Sequence, residues 1–376
     1  MSDKDLKVWC LLGKKAGDNT QVLALADELA LPYEEKRVSA RSWELITHLR
    51  QTPTLAGIDA PSVAQIRPPW PDVVITAGRR NEHLARWIKA TSGGKALLVQ
   101  MGRPWSRLQD WDLIVTTPQY FLPSAPNIVH NSLPLHRLSR CDLKEDAKRV
   151  QPLLGELARP WIALLIGGDS GRFVFTPEKG RRLGELTNRL AATCGGSVLA
   201  SDSPRTPVAA GDAVEQALLC PHYHYRWQQG GQNPYRGLLA LADAFVVTGE
   251  SMSMLAEAAA MARPLFIFDM GDSDLAWWRL AHSYRYKPLS HRFAMTLGPQ
   301  RMRRDIGRIQ MRMVADREAR WLDEAGVEAA AKQLKLPIDR PQGDEPTSSV
   351  DLHRAADAVR RLLAERSMDV QVPAAE

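Results

Sequence analysis

The stretch Ala242–Phe268, ADAFVVTGESMSMLAEAAAMARPLFIF, decides the fold class. It begins with an apolar run at 244–247, passes through a Gly-Glu-Ser turn into an Ala-rich segment with helical spacing, and ends in a second apolar run at 265–268. Short apolar runs bounded by turn residues are typical of buried strands, and a helix between two such strands makes a βα unit with parallel strands. The stretch therefore predicts an α/β fold.

The same alternation of apolar runs and helical patterns continues in both directions along the chain. We predict two Rossmann-like domains with mainly parallel sheets. The predicted helices of this pattern include 22–31, 81–90 and 177–193. The further predicted strands are 6–12, 72–76, 96–100, 113–116, 127–130, 161–166 and 197–201.

A charged helical segment at 138–160 separates the two sets of strands, because a new strand starts at Trp161. This predicts a first domain over residues 1–150 and a second over residues 151–336. Residues 337–376 are predicted to form a polar linker and a C-terminal helix, with Asp351 as the cap of that helix.

Composition excludes several classes of protein. The 376 residues are 44% hydrophobic and 24% charged, which is typical of a globular chain and not of a disordered or fibrous one. The net charge of +6 is mild and no long basic block is present, so we expect no nucleic acid as a partner. No secretory signal, membrane span or close pair of cysteines is apparent, so we expect a cytoplasmic protein without a bound metal.

The loop that follows the predicted strand at 161–166 is Gly167-Gly168-Asp169-Ser170-Gly171-Arg172. Glycines allow backbone amides to approach an anion closely, and Ser170 adds a hydroxyl. Gly168 and Ser170 are therefore candidate phosphate-binding residues. The alternative is a tight turn between a strand and a helix with no ligand.

Ser251 and Ser253 stand at the start of the Ala-rich helix, where the helix dipole favours a phosphate. Glu257 lies one to two turns further along, where its carboxylate could accept hydrogen bonds from a ribose diol. The alternative is that Ser251 only caps the helix and that Glu257 is a solvated surface acid.

Two further loops carry candidate residues. Gly17–Gln21 follows the first predicted strand and contains Asp18 and Asn19, of which Asp18 is the nearest to a general base. The alternative is a helix cap. In the loop Ser201–Pro207, Arg205 is flanked by hydroxyl groups and could hold a phosphate; a solvated loop is the equal alternative.

These segments together resemble the mitochondrial-fission ELM ("elongated mitochondria") family, which has plant members and bacterial members regarded as glycosyltransferases. The resemblance covers roughly residues 6–335, in order, and Glu250 replaces the Asp that the family usually has before the first serine. It rests on GDNTQVLALADEL, WPDVVITAGRR, LIGGDSGRF, the SPRTP loop and NPYRGLLALADAFVVTGESMSMLAEAA.

More distantly, the second half is similar to the donor domain of the lipid-linked N-acetylglucosaminyltransferase of cell-wall synthesis. That resemblance implies a GT-B-like fold, with two facing Rossmann-like domains and a central cleft, and the first domain on the acceptor side. It also implies catalysis without a metal or cofactor. In this scheme Gly168, Ser170, Arg205, Ser251 and Ser253 hold the diphosphate of a nucleotide sugar. Glu257 holds the ribose, and Asp18 or Asn19 serves the reaction.

The function expected from these residues is transfer of a sugar from a nucleotide-diphosphate sugar to an acceptor in cell-envelope glycan or lipid synthesis, where a lipid-linked acceptor is one candidate. One alternative is a non-catalytic adaptor with the same fold that recruits a protein partner, as the plant members imply. A third is a sugar-nucleotide epimerase, which would need more carboxylates. Binding of nucleotide sugars would separate the first hypothesis from the second.

An arginine-rich segment at 301–320 has helical spacing and is the basis for an expected membrane association. Arginines flank an apolar side that contains Ile306, Ile309 and Met313. Such a helix can lie on an anionic bilayer, which would bring a lipid-linked acceptor within reach. The alternative is a helix that packs on its own domain and exposes a basic face.

Overall fold

The protein divides into two compact units, which are described separately below. The first unit consists of Met1–Arg137, Pro299–Arg304 and Ser348–Glu376, and the second of Leu138–Gly298 and Asp305–Thr347. The structure is a computed structural model, and it describes residues 6–39, 41, 52–170, 173–270, 297–299, 303–335 and 349–371.

Each unit is built on one six-stranded sheet, and every strand pairing in both sheets is parallel. The order of strands is β2-β1-β3-β4-β5-β6 in the first sheet and β12-β11-β10-β7-β8-β9 in the second. The predicted α/β class with parallel sheets is thus confirmed. The strands are β1 (Val8–Leu12), β2 (Tyr33–Arg37), β3 (Val73–Ala77), β4 (Leu97–Met101), β5 (Leu113–Thr116), β6 (Ile128–His130), β7 (Trp161–Leu165), β8 (Ser197–Ser201), β9 (His222–Tyr225), β10 (Ala244–Thr248), β11 (Leu265–Phe268) and β12 (Arg320–Trp321).

The helices connect the strands and cover the sheets. In chain order they are α1 (Ala16–Leu29), α2 (Ala60–Ala64), α3 (Glu82–Thr91), α4 (Arg140–Val150), α5 (Pro177–Cys194), α6 (Val208–Ala217), α7 (Tyr235–Leu241), α8 (Met252–Ala260), α9 (Gly307–Ala315), α10 (Val327–Lys335) and α11 (Ser349–Gln371). The predicted helices at 81–90 and 177–193 correspond to α3 and α5.

The core of the first unit lies on both faces of its sheet. On one face, Val8 and Cys10 of β1 pack with α1 and with Ala355 and Val359 of α11. On the other face, Trp9 packs in a cluster with α3. Alternate residues of a strand point to opposite faces, so a strand that is covered on both sides is apolar throughout. This is why β1 could be located from its sequence.

Three features of the first unit differ from the sequence-based expectation. Helix α1 begins at Ala16 and not at 22, so the predicted loop Gly17–Gln21 forms its first turns. Strand β2 was not predicted, because its sequence YEEKR is polar and it lies at the edge of the sheet. Asp351 lies inside the first turn of α11 and accepts hydrogen bonds from the backbone of Ser132 and Leu133, at 2.6 and 3.2 Å.

In the second unit, β7, β8, β10 and β11 are buried along their whole length. Helix α4, which we had assigned to the first domain, packs against α7 of this unit. Arg236 of α7 pairs with Asp142 at 2.8 Å and with Asp146 at 3.1 Å. A Cβ at Gly237 would meet Val150, so α4 and α7 approach each other closely.

Within the described part of the arginine-rich segment, residues 303–320, the helix is α9, and the apolar residues Ile306, Ile309 and Met313 are buried. Gln310 of the same helix donates from Nε2 to the carbonyl of Gly249 at 2.6 Å. The described residues therefore match the alternative in which this helix packs against its own unit. Among the helices that the structure describes, none is both long and apolar enough to cross a bilayer.

Candidate functional site

Three loops meet at the carboxyl edge of the second sheet. They follow β7, β8 and β10, which are neighbours in the order β10-β7-β8. Ligands of open parallel sheets bind at this edge. The side chain of Thr248, the last residue of β10, accepts a hydrogen bond from the amide of Gly167 at 2.8 Å and so joins two of the loops.

Gly167 and Gly168 are required because other groups approach them closely. A Cβ on Gly167 would contact the carboxylate of Glu250 and would lie 2.8 Å from Ser251 Cβ and 2.9 Å from Arg205 Nη2. Gly168 has φ +107° and its missing side chain would overlap the backbone of Arg205. The paired glycines thus allow Glu250, Ser251 and Arg205 to converge on one point.

Three backbone amides in the described part of the Gly167 loop, residues 167–170, donate to acceptors within the protein. Gly167 donates to Thr248, Asp169 donates to the carbonyl of Arg205 at 3.1 Å, and Ser170 donates to the carbonyl of Phe173 at 3.0 Å. The expectation that this loop presents a row of amides to an anion therefore has to be revised. The loop shapes the site, and the groups able to bind an anion belong to its neighbours.

Arg205 is the cation of the site. Its guanidinium donates from Nη1 to the carbonyl of Asp169 at 3.1 Å and from Nη2 to the hydroxyl of Ser251 at 3.3 Å. About a quarter of its side chain is exposed, 24%, so one side of the group remains open to a ligand. The hydroxyls of Ser203 and Thr206 both donate to the carbonyl of Gly167, which fixes the loop that carries Arg205.

The N-terminus of α8 is not capped by a side chain. Ser251 is the N-cap residue, yet its hydroxyl makes no hydrogen bond to the helix and instead accepts from Arg205. By contrast, Thr176 at the start of α5 accepts from the amide of Lys179 at 3.3 Å. The first amides of a helix have no partner within it. At α8 these amides, together with Ser251 and the half-buried Ser253, form a positive end suited to an anion.

Glu250 is a fully buried acid beside this positive end, with no exposure of its side chain. Arg205 Nη2 lies 3.7 Å from Oε1, and the Thr248 hydroxyl and the Gly168 amide also interact with this carboxylate. Burial raises the pKa of Glu250 from 4.5 to about 7, and the Arg205 guanidinium opposes that rise. Apart from a Glu in place of the family's usual Asp, nothing in the sequence indicated that this carboxylate would be buried beside Arg205.

Glu257 lies one helical turn beyond Ser253, on the same side of α8. Its Oε2 accepts a hydrogen bond from the hydroxyl of Tyr235 at 2.5 Å. Burial raises the pKa of Glu257 to about 7, while the Tyr235 hydrogen bond lowers it. Glu257 is therefore not the solvated surface acid of the alternative interpretation. One of its carboxylate oxygens is used in a hydrogen bond that links α8 to α7.

Asp18 and Asn19 belong to the first unit and have different environments. Asn19 is committed to structure, because its Oδ1 accepts from the amide of Gly13 at 2.9 Å and its Nδ2 donates to the carbonyl of Gly13 at 2.8 Å. Asp18 is partly exposed, 32% for its side chain, and its Oδ2 lies 3.3 Å from Lys15 Nζ. Of the two, Asp18 keeps a carboxylate that can reach solvent.

Trp227 was missed by the sequence analysis. It follows β9 at the same edge of the second sheet and is 41% exposed. Its amide donates to Asp202 Oδ1 at 2.5 Å, and the other oxygen of Asp202 accepts from Arg226 at 3.1 Å. The sequence analysis did not predict β9, and Trp227 is one of 11 tryptophans in the chain, so no signal distinguished it.

The two six-stranded parallel sheets with their helices define an α/β protein with a GT-B-like fold. Two solved structures share it. A glycosyltransferase of Rickettsia africae ESF-5 has a TM-score of 0.50 at 11% identity, covering 98% of this chain and 99% of the other. A UDP-GlcNAc 2-epimerase of Methanocaldococcus jannaschii has a TM-score of 0.53 at 10% identity, covering 96% and 100%. At such identities the likeness shows the fold alone.

The sequence profile of the Mitochondrial fission ELM1 family matches residues 16–301, so the chain belongs to that family. This confirms the resemblance on which the sequence analysis relied. Mitochondrial fission protein ELM1 of Arabidopsis thaliana is 25% identical over 233 aligned residues, which cover 56% of this chain and 54% of the plant protein. The chain thus matches about half the length of that relative.

Proposed function

We propose that this protein is a glycosyltransferase that moves a sugar from a nucleotide-diphosphate sugar to an acceptor. The observation that carries the proposal is the uncapped N-terminus of α8, whose cap hydroxyl is held by Arg205. A helix start with free amides and an adjacent guanidinium offers several donors to the oxygens of a diphosphate. The same donors would stabilise the charge that develops on the leaving nucleoside diphosphate, and the proposal needs no metal or cofactor.

The remaining roles follow from position along the sheet edge. Ser251, Ser253 and Arg205 would hold the diphosphate, with Gly168 and Ser170 shaping the loop beside them. Glu257 would use its second carboxylate oxygen for the ribose. β9 lies two strands from β7, which is about 10 Å at the usual strand spacing. We place the base of the nucleotide at that distance from the diphosphate, where Trp227 would stack on it.

In the first unit we propose Asp18 as the residue that takes the proton of the acceptor hydroxyl. Asn19 would position the loop and would not take part in the chemistry, because its amide is already used by Gly13. The acceptor would be a component of cell-envelope glycans or lipids, and the enzyme would act in the cytoplasm.

Family membership supports one other candidate, a non-catalytic adaptor that keeps the fold and recruits a protein partner. The two hypotheses differ in ligand binding. A transferase must bind a nucleotide sugar through Arg205 and the start of α8, whereas an adaptor has no need to keep this site functional.

The test is a thermal-shift and calorimetric screen of UDP-, GDP- and ADP-sugars, with a CMP-sugar as a monophosphate comparison. We expect one diphosphate sugar to stabilise the protein. Arg205→Ala and the double variant Ser251→Ala with Ser253→Ala should weaken its binding roughly tenfold, since charge-assisted hydrogen bonds are lost. Thr176→Ala is the matched control, because it removes a helix cap in the same unit outside the site.

Failure of every nucleotide sugar to bind the wild-type protein would favour the adaptor. Equal affinity in the site variants and in Thr176→Ala would place the donor site elsewhere. If a nucleotide sugar binds, analysis of its products with and without acceptor lipids separates transfer from epimerisation, which the fold alone does not.

A further inference from the structure

Three neighbouring strands of the first sheet end in the same way. Each of β1, β3 and β4 is followed at once by a glycine and then by basic residues. The strands are in register, since Leu11 pairs with Thr76 and Thr76 pairs with Gln100. Their ends therefore stand side by side at the carboxyl edge, spaced by about 5 Å. The three segments are Gly13-Lys14-Lys15, Gly78-Arg79-Arg80 and Gly102-Arg103-Pro104-Trp105-Ser106-Arg107.

We call these six cations the basic edge: Lys14, Lys15, Arg79, Arg80, Arg103 and Arg107. The stretches 13–18, 78–82 and 102–107, which include them, contain only two acids in the sequence, Asp18 and Glu82. Glu82 is buried, at 1% exposure, whereas Lys14, Lys15, Arg80 and Arg107 are exposed. Lys15 is paired with the partly exposed Asp18, so Lys14, Arg80 and Arg107 leave the surface of these loops with a net positive charge.

The three loops are joined to one another by buried polar side chains. Asn81 donates from Nδ2 to the carbonyl of Leu11 at 3.0 Å, which links the second loop to the end of β1. Glu82 accepts from the amides of Trp105 and Ser106 at 2.8 and 2.9 Å, which links the second loop to the third. The loops thus form a connected surface, and little order has to be gained when a ligand binds.

The geometry also combines cations with an aromatic ring and a carboxylate. The guanidinium of Arg79 lies over the ring of Trp105, 4.4 Å from its centroid. Gly78 has φ +71°, and a Cβ there would lie 3.1 Å from Asp18 Oδ2, so Asp18 stands against the loop that carries Arg79 and Arg80. The residue proposed to take the acceptor's proton therefore lies beside the basic edge.

We infer that the basic edge binds a phosphate or diphosphate group carried by the acceptor. This inference rests on the proposed transferase function and specifies its acceptor as an anion. Lysine and arginine at strand ends would hold the phosphate oxygens by charge-assisted hydrogen bonds and leave a nearby hydroxyl facing Asp18. A lipid headgroup and a soluble phosphorylated compound present the same phosphate chemistry to these cations.

The test removes one exposed cation from each loop in the variant Lys14→Ala/Arg80→Ala/Arg107→Ala. Its matched control is Lys7→Ala/Arg67→Ala/Lys95→Ala, which removes one exposed cation ahead of each of the same three strands. The charge-preserving variant Lys14→Arg/Arg80→Lys/Arg107→Lys shows whether the edge is still folded. Inorganic pyrophosphate is the probe, titrated by calorimetry into each protein.

Because pyrophosphate can also enter the donor site, each set of substitutions is made with and without Arg205→Ala/Ser251→Ala/Ser253→Ala. We expect the donor-site substitutions to leave one class of pyrophosphate site. The basic-edge substitutions should raise the Kd of that class at least about tenfold, since three cations are removed. The control and charge-preserving variants should keep it, and high salt should weaken it.

An unchanged Kd in the basic-edge variant, or an equal loss in the control, would overturn the inference. Failure of the donor-site proposal looks different, since the donor-site substitutions would then change nothing. Flotation with phosphatidylglycerol and with phosphatidylcholine vesicles distinguishes the source of the anion. A lipid headgroup predicts flotation with phosphatidylglycerol that the basic-edge substitutions abolish, and a soluble acceptor predicts pyrophosphate binding without flotation.

Discussion

Arg205 donates from Nη2 to the hydroxyl of Ser251 at 3.3 Å, across 46 residues of sequence. This bond takes the hydroxyl away from its usual use as a helix cap. Loss of a side-chain N-cap hydrogen bond destabilises a helix by about 0.5–2 kcal/mol. The start of α8 therefore has lower stability than a capped helix, but its first backbone amides stay available to a ligand.

Gly167→Ala should disrupt the site, because the added methyl group would lie 2.8 Å from Ser251 Cβ and would contact Glu250. We expect a loss of about 1–3 kcal/mol in the free energy of unfolding, measured in urea, and a loss of nucleotide-sugar binding. Gly13→Ala is the control, since the nearest atom to its added Cβ is Asn81 Nδ2 at 3.8 Å. Equal stability of the two variants would contradict the close convergence at Gly167.

Glu250→Gln should change how stability depends on pH. Burial raises the pKa of Glu250 from 4.5 to about 7, so the folded state keeps this proton between those values while the unfolded state loses it. The free energy of unfolding of the wild type therefore falls as pH rises through that window, by roughly 2–3 kcal/mol from this group. The variant should lack this part of the fall. Urea unfolding near pH 5 and near pH 8 measures it, and an identical pH dependence in both proteins would refute it.

Tyr235→Phe should destabilise the second unit by about 1–3 kcal/mol, because the buried Glu257 loses the hydroxyl that donates to its Oε2. Tyr223→Phe, at a half-buried tyrosine of the same unit, is the control. Glu257→Ala should in addition weaken the binding of nucleotide sugars more than that of pyrophosphate, which lacks a ribose. If both ligands bind Glu257→Ala as they bind the wild type, the carboxylate serves only the structure.

Substitutions at the adjacent residues Asp18 and Asn19 should have different effects, one on the rate of transfer and the other on stability. Asn19→Ala removes both hydrogen bonds to Gly13 and should lower the free energy of unfolding by about 1–3 kcal/mol. Asp18→Asn should leave stability nearly unchanged, because its ion pair with Lys15 is exposed, and should lower the rate of transfer. A normal transfer rate in Asp18→Asn would remove Asp18 from the mechanism.

Much of the fold could be predicted from local patterns. The strands at 197–201 and 265–268 were predicted with the bounds that the structure shows, because each is an apolar run buried on both faces. The edge strand β2 was missed because its residues are polar and its position depends on pairing with β1. The start of α1 was placed too late because its first turns carry polar residues, and the periodic apolar pattern begins only at Val22.

The position of the candidate site was predicted from the sequence, but the hydrogen bonds and the burial of its residues were not. Glycine and serine after a strand pointed to the edge of the second sheet, and Gly168, Arg205 and Ser251 do lie together there. The sequence could not show that three amides of the Gly167 loop are already bonded, nor that Glu250 is buried against that loop. Nothing in the sequence distinguished the exposed Trp227 from the other tryptophans.

The sequence by itself determined the βα alternation, the parallel sheets and the family, because buried strands and helices leave periodic patterns of apolar residues that are local in the chain. Only the tertiary structure decided the roles of the polar groups. Asn19 donates a hydrogen bond to the carbonyl of Gly13, and Arg205 donates one to the hydroxyl of Ser251. Asp351 accepts one from the backbone amide of Ser132. A buried polar group must find a partner wherever the fold supplies one, and that partner is often far away in sequence.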